Sequence, residues 1–215
     1  MSDPYYLTDG GHVLISGATG AKAEYGGKTT TANWWFEQSV EKGWHDQGVF
    51  INPKGHSNVR GQSVSTLKGL AESYRAGHRL FSWEGAADAD AVDHVVGFFR
   101  HLSGETIVVF DEAQSYRDSD GLNWVLSQGG NLDSGSFTAL VLTQRPWNLS
   151  EELRGNLPVK IWVGPITSEG RKFFEVEHMK RVASQLAGEM EPYSWAVTDG
   201  GDFQHVNPPV PEAYA

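Results

Sequence analysis

The sequence predicts an α/β protein of three layers, with a mostly parallel sheet covered by helices on both faces. Short apolar runs of strand length alternate along the chain with segments whose apolar residues fall at helical spacing, the pattern of strand–helix–strand units. Several of these runs, such as Ile107-Val108-Val109-Phe110 and Ala139-Leu140-Val141-Leu142, are apolar throughout, as strands covered on both faces are. The first run leads straight into a glycine-rich loop and a helix start, and in sheets of this kind ligands bind at the carboxyl ends of the strands.

Val13-Leu14-Ile15 anchors a first strand at Val13–Ser16, and Lys28-Thr29-Thr30 opens a helix at about 29–42. Gly48–Asn52 (GVFIN) is a second strand, followed by a helix near 65–76 and a strand at 79–83. Asp88 to Leu102 is helical because Ala91, Val95, Phe98, Phe99 and Leu102 share one face, with Asp88 or Asp90 as the cap. Thr106–Phe110 is a strand that ends on Asp111-Glu112. A helix around 122–127 and a glycine-rich turn lead to a buried strand at 137–143, and Lys160–Val163 forms a further one.

A chain of 215 residues with 39% hydrophobic residues and 8 Trp holds one proper core. We expect one domain over 1–200 and, from 201 to 215, an extended proline-rich tail beginning at Gly200-Gly201. No run of 18 apolar residues exists and the first residues lack the regions of a signal peptide, so a soluble, intracellular protein is expected. The absence of cysteine removes disulfides, thiolate nucleophiles and cysteine-based zinc sites. The 8 histidines include no H-x-x-x-H or H-E-x-x-H pair, so a histidine metal site is not expected.

Strand, glycine loop and helix N-terminus in that order make a phosphate cradle, because backbone N–H groups and the positive end of the helix dipole converge on one anion. Here the order is met by Gly17-Ala18-Thr19-Gly20 and then Gly26-Gly27-Lys28-Thr29. The usual spacing would put glycine where Lys22 stands, so the loop reads as extended by Ala21–Tyr25. Lys28 supplies a mobile positive charge for the outer phosphates, and the Thr29 hydroxyl is the natural ligand of the accompanying Mg2+.

The strand ending on Asp111-Glu112 delivers two adjacent carboxylates to the same edge of the sheet. In a nucleotide hydrolase the first positions hydrated magnesium and the second polarises the attacking water, roles that Asp111 and Glu112 fit. Gln144 ends the strand at 137–143 on that edge, where an amide can hydrogen-bond both the water and the γ-phosphate. The net charge of −10 argues against general charge-driven wrapping of nucleic acid but leaves a local basic surface open. Between Asn52 and Leu80, Lys54, Arg60, Lys68, Arg75 and Arg79 face Glu72 alone, which reads equally as a polyanion contact or a solvated helix face.

Four segments together carry a resemblance: GATG…GGKTT, FINPKG, VVFDEAQ and LVLTQRPWNLSEELRGN, spread over about three quarters of the chain. They resemble the additional-strand P-loop ATPases of the FtsK/HerA superfamily, whose fold is RecA-like. In particular they resemble the genome-packaging ATPases of membrane-containing icosahedral double-stranded DNA viruses. The resemblance implies that Gly17, Gly20, Gly26, Gly27, Lys28, Thr29 and Thr30 bind ATP, that Thr29 and Asp111 hold Mg2+, and that Asp111-Glu112 is the Walker B pair with Gln144 as sensor. It also implies a homo-oligomeric ring, a hexamer, that draws double-stranded DNA through its centre, with Lys54 and Arg60 as candidate DNA contacts. Packaging into a preformed capsid would place the protein in the host cytoplasm or on the virion, docked on capsid-vertex or membrane proteins.

Such ATPases commonly carry an arginine just before the sensor strand that reaches into the neighbouring subunit, and 118–142 contains none; Arg145, Arg154 and Arg117 are the substitutes. A two-lobed helicase would need a second lobe for which the chain is too short, and a small nucleoside-phosphate kinase would need an arginine-rich lid. A non-hydrolysing nucleotide-binding switch and a HerA/FtsK-like cellular or plasmid DNA translocase remain as alternatives.

Overall fold

The computed structural model describes residues 11–17, 27–55, 58–130, 135–166, 168–176, 194–199 and 202–207, with single residues 182, 184 and 190. The strands are β1 (Val13–Gly17), β2 (Gln47–Ile51), β3 (Gln62–Val64), β4 (Leu80–Trp83), β5 (Thr106–Phe110), β6 (Phe137–Leu142), β7 (Val159–Val163), β8 (Trp195–Asp199) and β9 (Asp202–Asn207). The helices are α1 (Lys28–Glu41), α2 (Leu67–Arg75), α3 (Ala89–Arg100), α4 (Asp120–Gln128), α5 (Glu151–Gly155) and α6 (Ser168–Val176).

All nine strands form one sheet in the order β3-β4-β2-β5-β6-β1-β7-β8-β9. From β3 to β7 every neighbour is parallel, and β8 and β9 add an antiparallel hairpin at the far edge. The predicted mostly parallel α/β sheet is therefore present. The sheet also runs past the position where an extended tail was expected: Asp199 pairs with Asp202, so β8 and β9 flank a two-residue connection. Gly-Gly between two strand-length runs is a hairpin signal. The expected tail beyond residue 207 lies outside the described residues.

Alternate residues of the central strands divide the core in two, as the two-residue period of a strand requires. Val13, Ile15, Phe50, Val109, Leu140 and Leu142 face α1, whose Ala32, Trp35 and Phe36 fill that side. Leu14, Val49, Ile51, Val108, Phe110 and Val141 face the other way, onto residues from α2, α3, α4, α5 and α6. Each fully buried Phe or Leu removed from water contributes about 1.5–3 kcal/mol, so the central strands carry much of the stabilising burial among the described residues. Edge-to-face contacts fix the α1 side, with Phe36 on Phe50 at 5.7 Å and Trp35 on Trp195 at 5.1 Å.

Side-chain caps set the start of most helices. Thr66, Asp88, Ser119 and Ser150 each accept a first-turn N–H of α2, α3, α4 and α5, the usual way to satisfy an orphan donor. Helix α1 differs: its N-cap is Gly27, with no side-chain cap and no acidic residue in the first turn.

Candidate active site

In a parallel sheet all strands end at one edge, and β2, β5, β6 and β1 lie side by side in that order. Their exits bring together the loop bearing Lys54, the Asp111-Glu112 pair, Thr143-Gln144 and Gly17. With strands about 4.8 Å apart, the four exits span roughly 15 Å. Gly17 ends β1 where no other residue fits, since a Cβ there would lie 2.6 Å from the Val163 carbonyl oxygen and 3.2 Å from Lys28 Cγ. That approach sets the root of the Lys28 side chain against the end of β1.

Gly27 has φ 141°, a backbone region that favours glycine, and so turns the chain into α1 with Lys28, Thr29 and Thr30 in the first turn. An uncapped helix start next to a lysine and two hydroxyls is chemically suited to a phosphate group. Gly20 and Gly26, with Lys22 and Tyr25 of the extended loop, lie outside the described residues.

At the exit of β5, Asp111 is buried, with Oδ1 accepting the Glu112 N–H at 3.0 Å and its carbonyl accepting the Tyr116 hydroxyl at 2.5 Å. Burial pushes the Tyr116 hydroxyl well up from its ordinary pKa, and the charges of Asp111 and Glu112 add to this, so the tyrosine is a fixed donor under the pair. Glu112 is the one non-glycine residue with positive φ among the described residues (φ 53°, ψ 43°). That conformation turns its side chain into a ring of donors. Gln144 Nε2 donates to Oε1 at 2.8 Å, the Lys54 ammonium donates to the same oxygen, and Gln114 Nε2 donates to Oε2. Burial alone would raise the Glu112 carboxyl, but the Lys54 and Gln114 hydrogen bonds, the Lys54 charge and the Gln144 amide together hold it below its ordinary value.

Behind this ring stands a second tier. The Thr143 hydroxyl donates to Gln114 Oε1 at 2.8 Å, which fixes the orientation of that amide, and Thr143 Oγ in turn accepts the Arg145 N–H at 3.1 Å. Ser16 Oγ donates to the Thr143 carbonyl at 3.0 Å, tying the end of β1 to the end of β6. On the other flank, Asn33 of α1 clamps the loop after β2: its Nδ2 donates to the Asn58 carbonyl at 2.7 Å and its Oδ1 accepts the Arg60 N–H at 2.8 Å.

The structure thus brings Glu112 and Gln144, read from separate strands of the sequence, into direct contact. Lys54 is placed differently from the expected DNA surface, with its ammonium engaged by Glu112. Arg60 is half-exposed and pairs with Glu37 at 3.7 Å. Arg145 is exposed immediately after Gln144. Arg154 folds back, donating from Nη1 to the Leu149 carbonyl at 2.6 Å, and Arg117 lies on the surface near the Asn148 carbonyl, 3.4 Å away.

Gln114, Thr143 and Asn33, and the pairing of Lys54 with Glu112, are functional features beyond those expected from the sequence. For Lys54 a signal existed, since a residue three places beyond the end of any parallel strand stands at the same sheet edge. The donor set also suits magnesium, which takes one or two protein oxygens and completes its shell with phosphate and water. Asp111 offers a carboxylate at the sheet edge and Thr29 a hydroxyl in the first turn of α1, while no cage of three or more His, Cys, Asp or Glu occurs among the described residues.

No protein-family model and no curated protein matches this sequence. Solved structures do match. The genome packaging NTPase B204 from Sulfolobus turreted icosahedral virus 2, in complex with ATP-gammaS, aligns at TM-score 0.68 and 12% identity over 94% of this chain and 98% of that one. The chain has the fold of the genome-packaging P-loop ATPases. B204 from Sulfolobus turreted icosahedral virus, described as the DNA-packaging ATPase, gives TM-score 0.67 at 13% identity over 95% of this chain and 100% of that one. VirB4 of Thermoanaerobacter pseudethanolicus aligns at TM-score 0.61 and 10% identity over 94% and 90% of the two chains. The fold of these structures is thus shared nearly end to end, and the β1, β5 and β6 exits of the sheet carry the residues described above.

Proposed function

We propose that this chain is an ATP-hydrolysing motor that moves double-stranded DNA, working as a homo-oligomeric ring, a hexamer, in the packaging of a viral genome. The observation that carries the hydrolytic reading is the Gln144–Glu112 hydrogen bond of 2.8 Å between the exits of β6 and β5. It joins a carboxylate able to polarise water to an amide able to contact both that water and a terminal phosphate. Lys28, Thr29 and Thr30 at the uncapped start of α1 bind the phosphates of ATP, with Gly27 letting the backbone come close. Thr29 and Asp111 would hold Mg2+, which neutralises charge on the outer phosphates when bound. Arg145, exposed beside Gln144, is the preferred candidate for the arginine that completes a neighbouring subunit's site.

The DNA reading is supported by the likeness to structures described as packaging ATPases. Arg60, whose N–H is held by Asn33 and whose side chain is half-exposed, is retained as a candidate contact to the DNA backbone. A HerA/FtsK-like cellular or plasmid translocase shares the same chemistry and is the second reading. Capsid-vertex or virion membrane proteins are the docking partners that the packaging reading requires. Among the described residues no helix is long and apolar enough to cross a membrane.

The test is steady-state ATP turnover by the purified protein with and without double-stranded DNA. The motor reading expects turnover that rises with DNA. Tight nucleotide binding without turnover would instead establish a non-hydrolysing switch.

A further inference from the structure

We propose that Lys54 is shared between Glu112 and the outermost phosphate of a bound nucleoside triphosphate, so that it keeps the carboxylate engaged until a triphosphate draws it away. The inference deepens the ATPase reading and rests on it. Three donors occupy Glu112, two on Oε1 and one on Oε2. With two lone pairs on each oxygen, Oε1 is filled by Lys54 and Gln144, so a water held between Gln144 and that oxygen can bind it only when one of its two donors leaves.

The donors differ in how firmly they are held. Gln114 is locked from behind by the Thr143 hydroxyl, and Gln144 follows Thr143, whose carbonyl is tied to Ser16 at the end of β1. Lys54 has a side chain 48% exposed to solvent, and a partly exposed ion pair contributes only about 0–1 kcal/mol. It is the donor that leaves at least cost.

The place to which it can go is restricted by the loop that bears it. The Asn52 N–H donates to the Trp83 carbonyl at 3.0 Å and the Gly55 N–H to the Asn52 carbonyl at 3.1 Å, which closes the turn around Lys54. Asn33 holds Asn58 and Arg60 onto α1, the helix whose first turn faces the phosphates in the reading above. The backbone is thereby held at Asn52 and Gly55 on either side of Lys54, so that the swing falls to its side chain at the carboxyl edge of the sheet. An ammonium has donors and no acceptor, so its alternative partner is an anion, and a terminal phosphate offers more charge and more acceptor oxygens than one carboxylate. A diphosphate lacks that group, so Lys54 stays on Glu112 when ADP is bound.

Calorimetric titration of the full-length protein with ATP-γ-S and with ADP, both with Mg2+, tests this. Lys54→Met should weaken ATP-γ-S about tenfold, the worth of one charge-assisted hydrogen bond, and shift ADP less than about twofold. Lys54→Arg should restore most of the difference. Glu112→Gln, which removes the competing charge, should tighten ATP-γ-S when Lys54 is present and leave it unchanged in the Lys54→Met background, a coupling that a merely structural lysine does not produce. Equal effects of Lys54→Met on both nucleotides, or equal effects of Glu112→Gln with and without Lys54, would overturn the proposal while leaving the ATPase reading intact. A wild-type protein that binds neither nucleotide would overturn both.

Discussion

Glu112 is held in a left-handed backbone conformation that costs an L-residue about 1–2 kcal/mol, and its surroundings over-determine it through Lys54, Gln114 and Gln144. Strain kept in place by converging side chains is a mark of a working residue. Under the proposed mechanism Glu112→Gln keeps shape and removes the base, so turnover should fall at least about a hundredfold while ATP still binds; near-normal turnover in that variant would assign the activation of water to another group. Lys28→Ala should act on the other parameter, weakening nucleotide affinity itself, as a binding titration would show. Glu112 and Gln144 could be named from sequence because each ends an apolar run. The tier behind them could not: Thr143 orients Gln114 only because β5 and β6 are adjacent in the sheet, and strand order is not written in any one segment.

At the scale of elements, Gly17 is a tight joint, where β1, β7 and Lys28 meet. Gly17→Ala has to push against the Val163 backbone, so it should destabilise the fold by about 1–3 kcal/mol and weaken nucleotide binding with it. A shifted urea midpoint with unchanged nucleotide affinity would show that the joint serves stability alone. The strands at 13–17, 47–51, 106–110 and 137–142 were legible because they are buried on both faces and read as unbroken apolar runs. Strand β3 was not, since Gln62 and Ser63 are exposed and only Val64 is buried. The β8–β9 hairpin was missed because its Gly-Gly connection was read together with the prolines that follow.

For the whole molecule, acid is the informative perturbation. His12 and His45 are buried, and desolvation lowers each from 6.5 to about 4. His12 must also stay neutral to accept the Ala139 N–H on Nδ1 at 3.1 Å. Between about pH 6.5 and 4 the unfolded chain takes up protons that the native state refuses, so stability is complete above 6.5 and is lost as the pH falls towards 4. Each histidine contributes on the order of 3 kcal/mol to that loss. Thermal melts across this range should show the decline, and His12→Gln should flatten it; an unchanged slope would mean that His12 is protonated in the fold. If the assembled ring passes duplex DNA along Arg60, then Arg60→Ala should reduce the log–log salt slope of DNA binding by about 0.9, and an unaltered slope would place the duplex elsewhere.

The clamp formed by Asn33 has one more consequence. An amide carries no charge to be titrated or screened, so the two bonds it makes to Asn58 and Arg60 persist at any ionic strength or acidity in which the sheet itself survives. The helix that starts at Lys28 and the loop that carries Lys54 are coupled by a mechanical linkage that is indifferent to its electrolyte, in an acidic protein whose proposed cargo is a polyanion. Converting that one side chain to an acid, Asn33→Asp, would replace the donor to Asn58 with a second acceptor, uncouple the two halves of the site, and make the timing between them depend on salt.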